Sequence, residues 1–303
     1  MLRQFPLGPT RRPPGAGTAV EPRPAATIML VRNGIAGSTG IKGTAGINGT
    51  AGAARPGSGV EVFVFRRVAA MQFAAGMHVF PGGRVDERDA DPSVPWQGPP
   101  PGDFAGPLSA DVELARALVV AAVRETFEEC GVLLAGEPGG AVLRIDETSW
   151  DDAWRARRER MAAGDLGLAE LLVGAGLVLR ADLIRPWAHW ITPPGEAPRR
   201  YDTRFFVAGM PLGQLARDLG GEGEHARWLS AADGVGQYAD GLTRMLPPTV
   251  VCLEELAAAA SVEQLLDTTR RIRPVMPWPV ALPDGGFAVE VDLDGLGGGE
   301  ARR

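Results

Sequence analysis

Cysteine is nearly missing: Cys130 and Cys252 are the two cysteines in 303 residues. Two cysteines build no disulfide framework, so the fold must rest on its apolar core, and a reducing compartment is the expectation. Histidine is almost as scarce. His78 and His189 sit among strand-forming and aromatic neighbours and read as packed residues, because hard-cation sites seldom use imidazole. An excess of positive charge is also lacking. Lys and Arg total 31 against 37 Asp and Glu, giving net charge -6 and a pI near 5.3, which argues against a nucleic-acid backbone as the main ligand. No run of about 18 apolar residues exists to span a bilayer, so no membrane partner is expected. The amino terminus has arginines but no apolar h-region, and the last residues are Ala301, Arg302 and Arg303 rather than a peroxisomal S-K-L. Cytoplasmic residence is the expectation by default.

What is present is 45% hydrophobic and 22% charged, enough to bury a sizeable core in one large or two small domains. The most informative stretch is Val119 to Leu134 (V-V-A-A-V-R-E-T-F-E-E-C-G-V-L-L). As a helix it places Glu125, Glu128 and Glu129 at i, i+3 and i+4 on one side, with Val120, Val123, Phe127 and Cys130 on the other. Three like charges on one face repel, and a hard divalent cation would relieve that repulsion. The alternative is a solvated acidic helix end with Arg124 paired to Glu128. Gly131 supplies a natural stop. Upstream, Phe80-Pro81-Gly82-Gly83 is a turn whose paired glycines let backbone approach a metal or phosphate closely. Alone it is simply a turn.

Taken together, F-P-G-G and R-E-T-F-E-E-C-G-V (Arg124 to Val132) resemble the Nudix box, G-x5-E-x7-R-E-U-x-E-E-x-G-U. Gly83 fits the opening glycine, and Arg124 through Val132 fit the second half, with Thr126 in a slot that is usually aliphatic. Gly83 and Arg124 stand 41 residues apart where the pattern has 14, so roughly 27 residues are inserted. The family's first glutamate, counted back from the arginine, falls on Arg116, with Glu113 one turn earlier. An insertion at this place is similar to that of the coenzyme A diphosphatase branch. The resemblance implies a metal-dependent hydrolase of a nucleoside diphosphate derivative, with coenzyme A or acyl-CoA as candidate substrate and Mg²⁺ or Mn²⁺ as cofactor. It places metal on Glu125, Glu128, Glu129 and the Gly82 carbonyl, and catalysis on Arg124 and those glutamates. Substrate contacts fall to Gly82, Gly83 and Arg66. Gly220 to Trp228 looks like the loop that supplies a further glutamate in several family members, which makes Glu222 and Glu224 candidates for the general base. ADP-ribose or another nucleotide as substrate, and a non-catalytic nucleotide-binding regulator, are the rival readings. A homodimer is left open.

The fold the resemblance implies is an α/β/α sandwich with a mixed sheet. Periodicity alone supports an α/β or α+β class, with strands at Ala26–Arg32, Val60–Val68, Trp187–Thr192 and Arg200–Ala208. Helices are expected at Asp111–Glu129, Thr148–Ala163, Leu168–Gly174, Thr249–Ala260 and Ser261–Arg270. A disordered leader is expected over residues 1–24, the Nudix domain over 25–270 and a carboxy-terminal extension over 271–303. Insertions fall near 33–59, where glycine recurs every third position from Gly34 to Gly52, and at 86–108, read as an irregular loop able to cover the site. The arginines of Arg155 to Arg160 read as a solvated helix face in preference to the alternative, a basic run that helps hold a phosphorylated substrate.

Overall fold

Alternating apolar residues on the long strands give one sheet two buried faces, and a helical layer covers each. The structure, a computed structural model, describes residues 1–6, 20–34, 59–67, 76–194, 199–219, 223–283, 286–294 and 299–301. The chain runs through β1 (Leu2–Pro6), β2 (Arg23–Asn33), β3 (Val60–Arg67), β4 (His78–Val79) and β5 (Gly82–Arg84) to a 3-10 turn at Glu87–Ala90. Next come β6 (Trp96–Gln97), α1 (Pro101–Leu108), α2 (Val112–Cys130), β7 (Ala135–Gly136), α3 (Asp152–Ala162), α4 (Leu168–Ala175), β8 (Val178–Arg180), β9 (Ile184–Ile191) and β10 (Tyr201–Gly209). The remainder is β11 (Gly223–Ser230), α5 (Ala231–Ala239), α6 (Pro247–Ala257), α7 (Val262–Asp267), β12 (Thr268–Arg270), β13 (Pro274–Val275), β14 (Trp278–Ala281), β15 (Phe287–Asp292) and β16 (Gly299–Ala301).

The main sheet is ordered β11-β3-β2-β10-β9-β13, with β4 added to β3 and β5 to β2. It is mixed: β10 runs parallel to β2 and β13 parallel to β9, while the other pairs are antiparallel. Ala26, Ile28 and Leu30 of β2 face the core that contains α2, whereas Met29 and Val31 face the core that contains α6. That alternation is the period-2 signal expected of a strand with both faces covered, and the class is α/β.

Helix α2 carries the site and is fixed at both ends. The Asp111 side chain accepts from the Leu114 amide at 2.8 Å, and Gly131 closes the helix with φ 68°. Val119, Val120, Val123, Phe127 and Cys130 are fully buried. Phe127 stands edge-on to Trp150 and Trp154, with ring centroids 6.2 and 6.0 Å away.

Two expectations change. The segment 86–108 is packed scaffold rather than an irregular cover: Asp86 and Asp89 form a capping box, and Val94, Phe104 and Leu108 are buried in the α2 core. Pro100 and Pro101 start α1 with φ already fixed for a helix, and Phe104 and Leu108 then fall one turn apart on its buried side. At the amino terminus, Leu2–Pro6 is a strand in the region expected to be a leader, paired antiparallel with β15 and so joined to β14. The segment expected as an extension therefore supplies β13 to the main sheet and two strands to this second sheet. The rest of the leader before residue 20, and the glycine triplets beyond Gly34, lie outside the described residues. No helix among the described residues is long and apolar enough to cross a membrane.

Leu108→Ala, in the inserted segment, should lower unfolding free energy by about 2–5 kcal/mol in urea titration. A loss near zero would mean that the insertion does not belong to the core.

Candidate active site

The short strands β4 and β5 enter where β2 and β3 diverge, with β5 pairing Thr27, Ala26 and Ala25 and β4 pairing Arg66 and Phe65. This placement sets the Gly82-Gly83 turn against α2. Gly82 has φ 156°, and a Cβ there would lie 2.4 Å from the Ala26 carbonyl oxygen; its amide donates to Glu129 Oε2 at 2.9 Å. A Cβ on Gly83 would stand 2.2 Å from Glu125 Oε1. The two glycines thus have separate uses, one for strand pairing and the other for room beside a carboxylate.

Arg124 organises the acidic face. Its Nη1 donates to Glu125 Oε1 at 2.8 Å and Glu128 Oε1 at 3.2 Å, and its Nη2 donates to the Arg84 carbonyl at 2.8 Å. The other edge of the guanidinium meets Asp89, Nε to Oδ1 at 2.9 Å and Nη2 to Oδ2 at 3.0 Å. Asp89 is 2% exposed and Arg124 9%, so this is a two-point ion pair inside the protein. Burial pushes the Glu125 carboxyl up to about 7, against the opposing pull of Arg124. Burial also raises Glu128, again opposed by Arg124. Arg158 of α3 donates from Nε to the Glu128 carbonyl at 2.6 Å.

These groups form part of the wall of a cleft of about 1670 Å³. Arg124, Glu125, Glu128, Glu129, Gly82, Gly83 and Arg158 all line it. Among the described residues no three acidic, histidine or cysteine side chains already converge on one point, because Arg124 draws Glu125 and Glu128 toward itself while the Gly82 amide holds Glu129. The donor set still suits a hard divalent cation. It is all oxygen, it is partly buried and mutually repelling, and Gly83 leaves space beside it.

Arg66 does not line the cleft; its neighbours Phe65 and Arg67 do. Alternation along β3 turns position 66 away from the cleft wall, so the structure does not bring Arg66 together with the other expected site residues. Glu224 pairs in backbone register with Arg66 on β11, next to a bulge at which His225 takes φ 56°; its side chain and the whole of Glu222 lie outside the described residues. Arg158 lines the cleft although the basic run of α3 reads as solvated from sequence. His189 and Cys130 are buried as expected.

A family model, the NUDT19 Nudix domain, matches residues 103–256, just over half of the chain. The chain belongs to the Nudix family. It is 31% identical over 183 residues to acyl-coenzyme A diphosphatase NUDT19 of Gallus gallus, covering 48% of this chain and 47% of that one. Against the Homo sapiens protein of the same name it is 27% identical over 253 residues, 69% of this chain and 64% of that one. The chain thus spans about half to just under two thirds of the length of these curated relatives. A crystal structure of a NUDIX hydrolase from Alicyclobacillus acidocaldarius superposes with a TM-score of 0.62 at 26% identity, covering 83% of this chain and 98% of that one. Nudix hydrolases generally use divalent metal ions. Counted forward from Gly83, the acidic position of the Nudix pattern falls on Asp89, the partner of Arg124. Counting back from Arg124 lands instead on Arg116, because the inserted residues follow Asp89. The forward count is the signal that could have found this residue in the sequence.

Behind the cleft, His78 of β4 is held down to about 4 by burial, then by the charges of Arg227 and Arg66, and its buried Nδ1 has no hydrogen-bond partner among the described residues. Its folded value lies below the ordinary 6.5, so the unfolded chain binds the proton first. The stability present above pH 6.5 is therefore lost as pH falls toward 4. Denaturant midpoints measured across that window should drop less for His78→Gln than for the wild type. Parallel curves would remove His78 as the source.

Proposed function

We propose that this chain hydrolyses the phosphoric anhydride of a nucleoside diphosphate derivative, with coenzyme A or an acyl-CoA as the substrate to be tested first. The observation that carries the reading is the buried Arg124, which collects Glu125 and Glu128 at the wall of the cleft while Glu129 is held by the Gly82 amide. The printed names of the relatives, acyl-coenzyme A diphosphatase, support the choice of substrate.

Glu125, Glu128 and Glu129 would hold Mg²⁺ or Mn²⁺, with the Gly82 carbonyl as a further donor. When bound, such an ion neutralises diphosphate oxygens and lowers the pKa of a water molecule. The chain's own residues prepare the site. Arg124 fixes the directions of two carboxylates, and Asp89 fixes Arg124. Arg158 presents cationic charge beside Glu128 for the diphosphate. Water attacks one phosphorus, the bridging P–O bond breaks, and a glutamate carboxylate oxygen accepts the proton. Glu129 heads the candidates for that base, and Glu224 is the second. With coenzyme A the products would be adenosine 3′,5′-bisphosphate and 4′-phosphopantetheine, or its acyl derivative.

A panel of coenzyme A, acyl-CoA, ADP-ribose and dinucleoside polyphosphates, assayed with Mg²⁺ or Mn²⁺, tests the reading. CoA-type cleavage that stops on chelation and returns with metal is expected. Rapid ADP-ribose cleavage without cleavage of coenzyme A would reject the substrate, and no turnover on any member would favour a nucleotide-binding regulator. Glu129→Gln should lower kcat by roughly 10²–10⁴-fold in folded protein. Unchanged turnover would remove this helix from catalysis.

A further inference from the structure

We propose that Arg23, Arg84 and Arg199 form a second anion subsite at the rim of the cleft, one that selects diphosphate substrates carrying an additional phosphomonoester on the nucleoside sugar. The proposal rests on the reading of the cleft as a diphosphate hydrolase site and specifies its substrate further.

All three arginines line the cleft, are exposed, and carry no ion pair among the described residues. Their placement follows from strand register. Arg84 of β5 stands opposite Ala25 of β2, Arg23 lies two residues before Ala25 on the same face, and Tyr201 of β10 stands opposite Arg23. Arg199 lies two residues before Tyr201. The row therefore runs diagonally over three adjacent strands, about 10 Å across them and about 13 Å along them, with Arg199 just ahead of β10. It begins one residue from Gly83, against which Glu125 packs. The Arg84 carbonyl accepts from Arg124, so the same residue touches the acidic wall through its backbone and contributes its guanidinium to the rim.

Guanidinium groups gathered without carboxylate partners repel one another, and in a chain of net charge -6 carboxylates to pair them are plentiful. Elsewhere Arg3, Arg32, Arg88, Arg180, Arg270 and Arg273 each have an acidic partner, while Arg144 and Arg227 have no ion pair among the described residues; what sets Arg23, Arg84 and Arg199 apart is that they share the wall of one cleft. On the rim, Asp86 is already taken by Arg88, and Glu87 is an exposed carboxylate, so the balance there is positive. Planar forked donors match phosphate oxygens, and a phosphomonoester carries more charge than a bridging phosphate, so it gains most from such a row. On this proposal a phosphomonoester one sugar ring away from a diphosphate held at Glu125 to Glu129 would be taken by this rim.

The test compares coenzyme A with dephospho-coenzyme A, which lacks only the sugar phosphomonoester. Wild-type kcat/KM should favour coenzyme A, and in Arg23→Ala/Arg199→Ala and in Arg84→Ala that preference should fall by roughly tenfold or more, with Arg→Lys variants keeping part of it. An unaltered ratio overturns the subsite. Calorimetric binding of adenosine 3′,5′-bisphosphate against AMP reads the same rim without turnover. Tighter wild-type binding of the bisphosphate, lost in the variants, upholds the subsite even if coenzyme A is not hydrolysed, in which case only the activity reading fails. Equal wild-type affinity for the two nucleotides overturns the subsite whether or not coenzyme A is cleaved.

Discussion

The buried pair between Asp89 and Arg124 is the constraint on which the acidic face depends. A guanidinium directed at two glutamates on its own helix would be free to pivot if nothing held its far edge. Asp89 occupies that edge with two hydrogen bonds, and the Arg84 carbonyl takes a third. Removing Arg124 would leave Asp89 buried and uncompensated, and removing Asp89 would strip the far edge of the guanidinium of its two-point partner. The capping box with Asp86 fixes Asp89 in turn, since Asp89 Oδ2 accepts from the Asp86 amide at 2.8 Å. The 3-10 turn is thus a bracket between strand β5 and helix α2. The inserted residues leave after it, bury Phe104 and Leu108, and return at the start of α2 without disturbing the bracket.

The same geometry divides the cleft by charge. Carboxylates and Arg124 crowd the wall at α2, where burial raises Glu125 and Glu128 and makes a compensating cation favourable. Arg23, Arg84 and Arg199, without an ion pair among the described residues, line the cleft beside it. An anionic ligand would thus meet local positive charge in a chain whose overall charge is negative. Strand β1 and the residues around β14 complete the cleft from another side, with Phe5, Pro277 and Val289 in its wall.

Much of the site was legible in the sequence because the helix period is local. Glu125, Glu128 and Glu129 share a face by spacing alone, and Asp111 and Gly131 mark the ends of their helix. The central strands were legible for the same reason. Asp89 was not read, because its partner lies 35 residues on and the count was taken from the arginine side. Strand β1 escaped because its partner β15 is almost a chain length away and five residues carry little pattern of their own. Helix α1 was hidden by Gly102, Gly106 and Pro107, which argue for a loop locally and are outweighed by the burial of Phe104 and Leu108. Arg66 and Arg67 fall on opposite faces of β3 by alternation, and Arg67 is the one in the cleft wall.

A double-mutant cycle on Asp89→Asn and Arg124→Gln, read by chemical denaturation of both single variants and the double, tests the central claim most directly. If the pair is the bracket described here, the singles will each be strongly destabilised and the double will recover much of the loss, with a coupling of about 2–3 kcal/mol. Effects that add to within about 0.5 kcal/mol would mean that the two residues do not depend on each other, and the account of how the acidic face is held would be wrong.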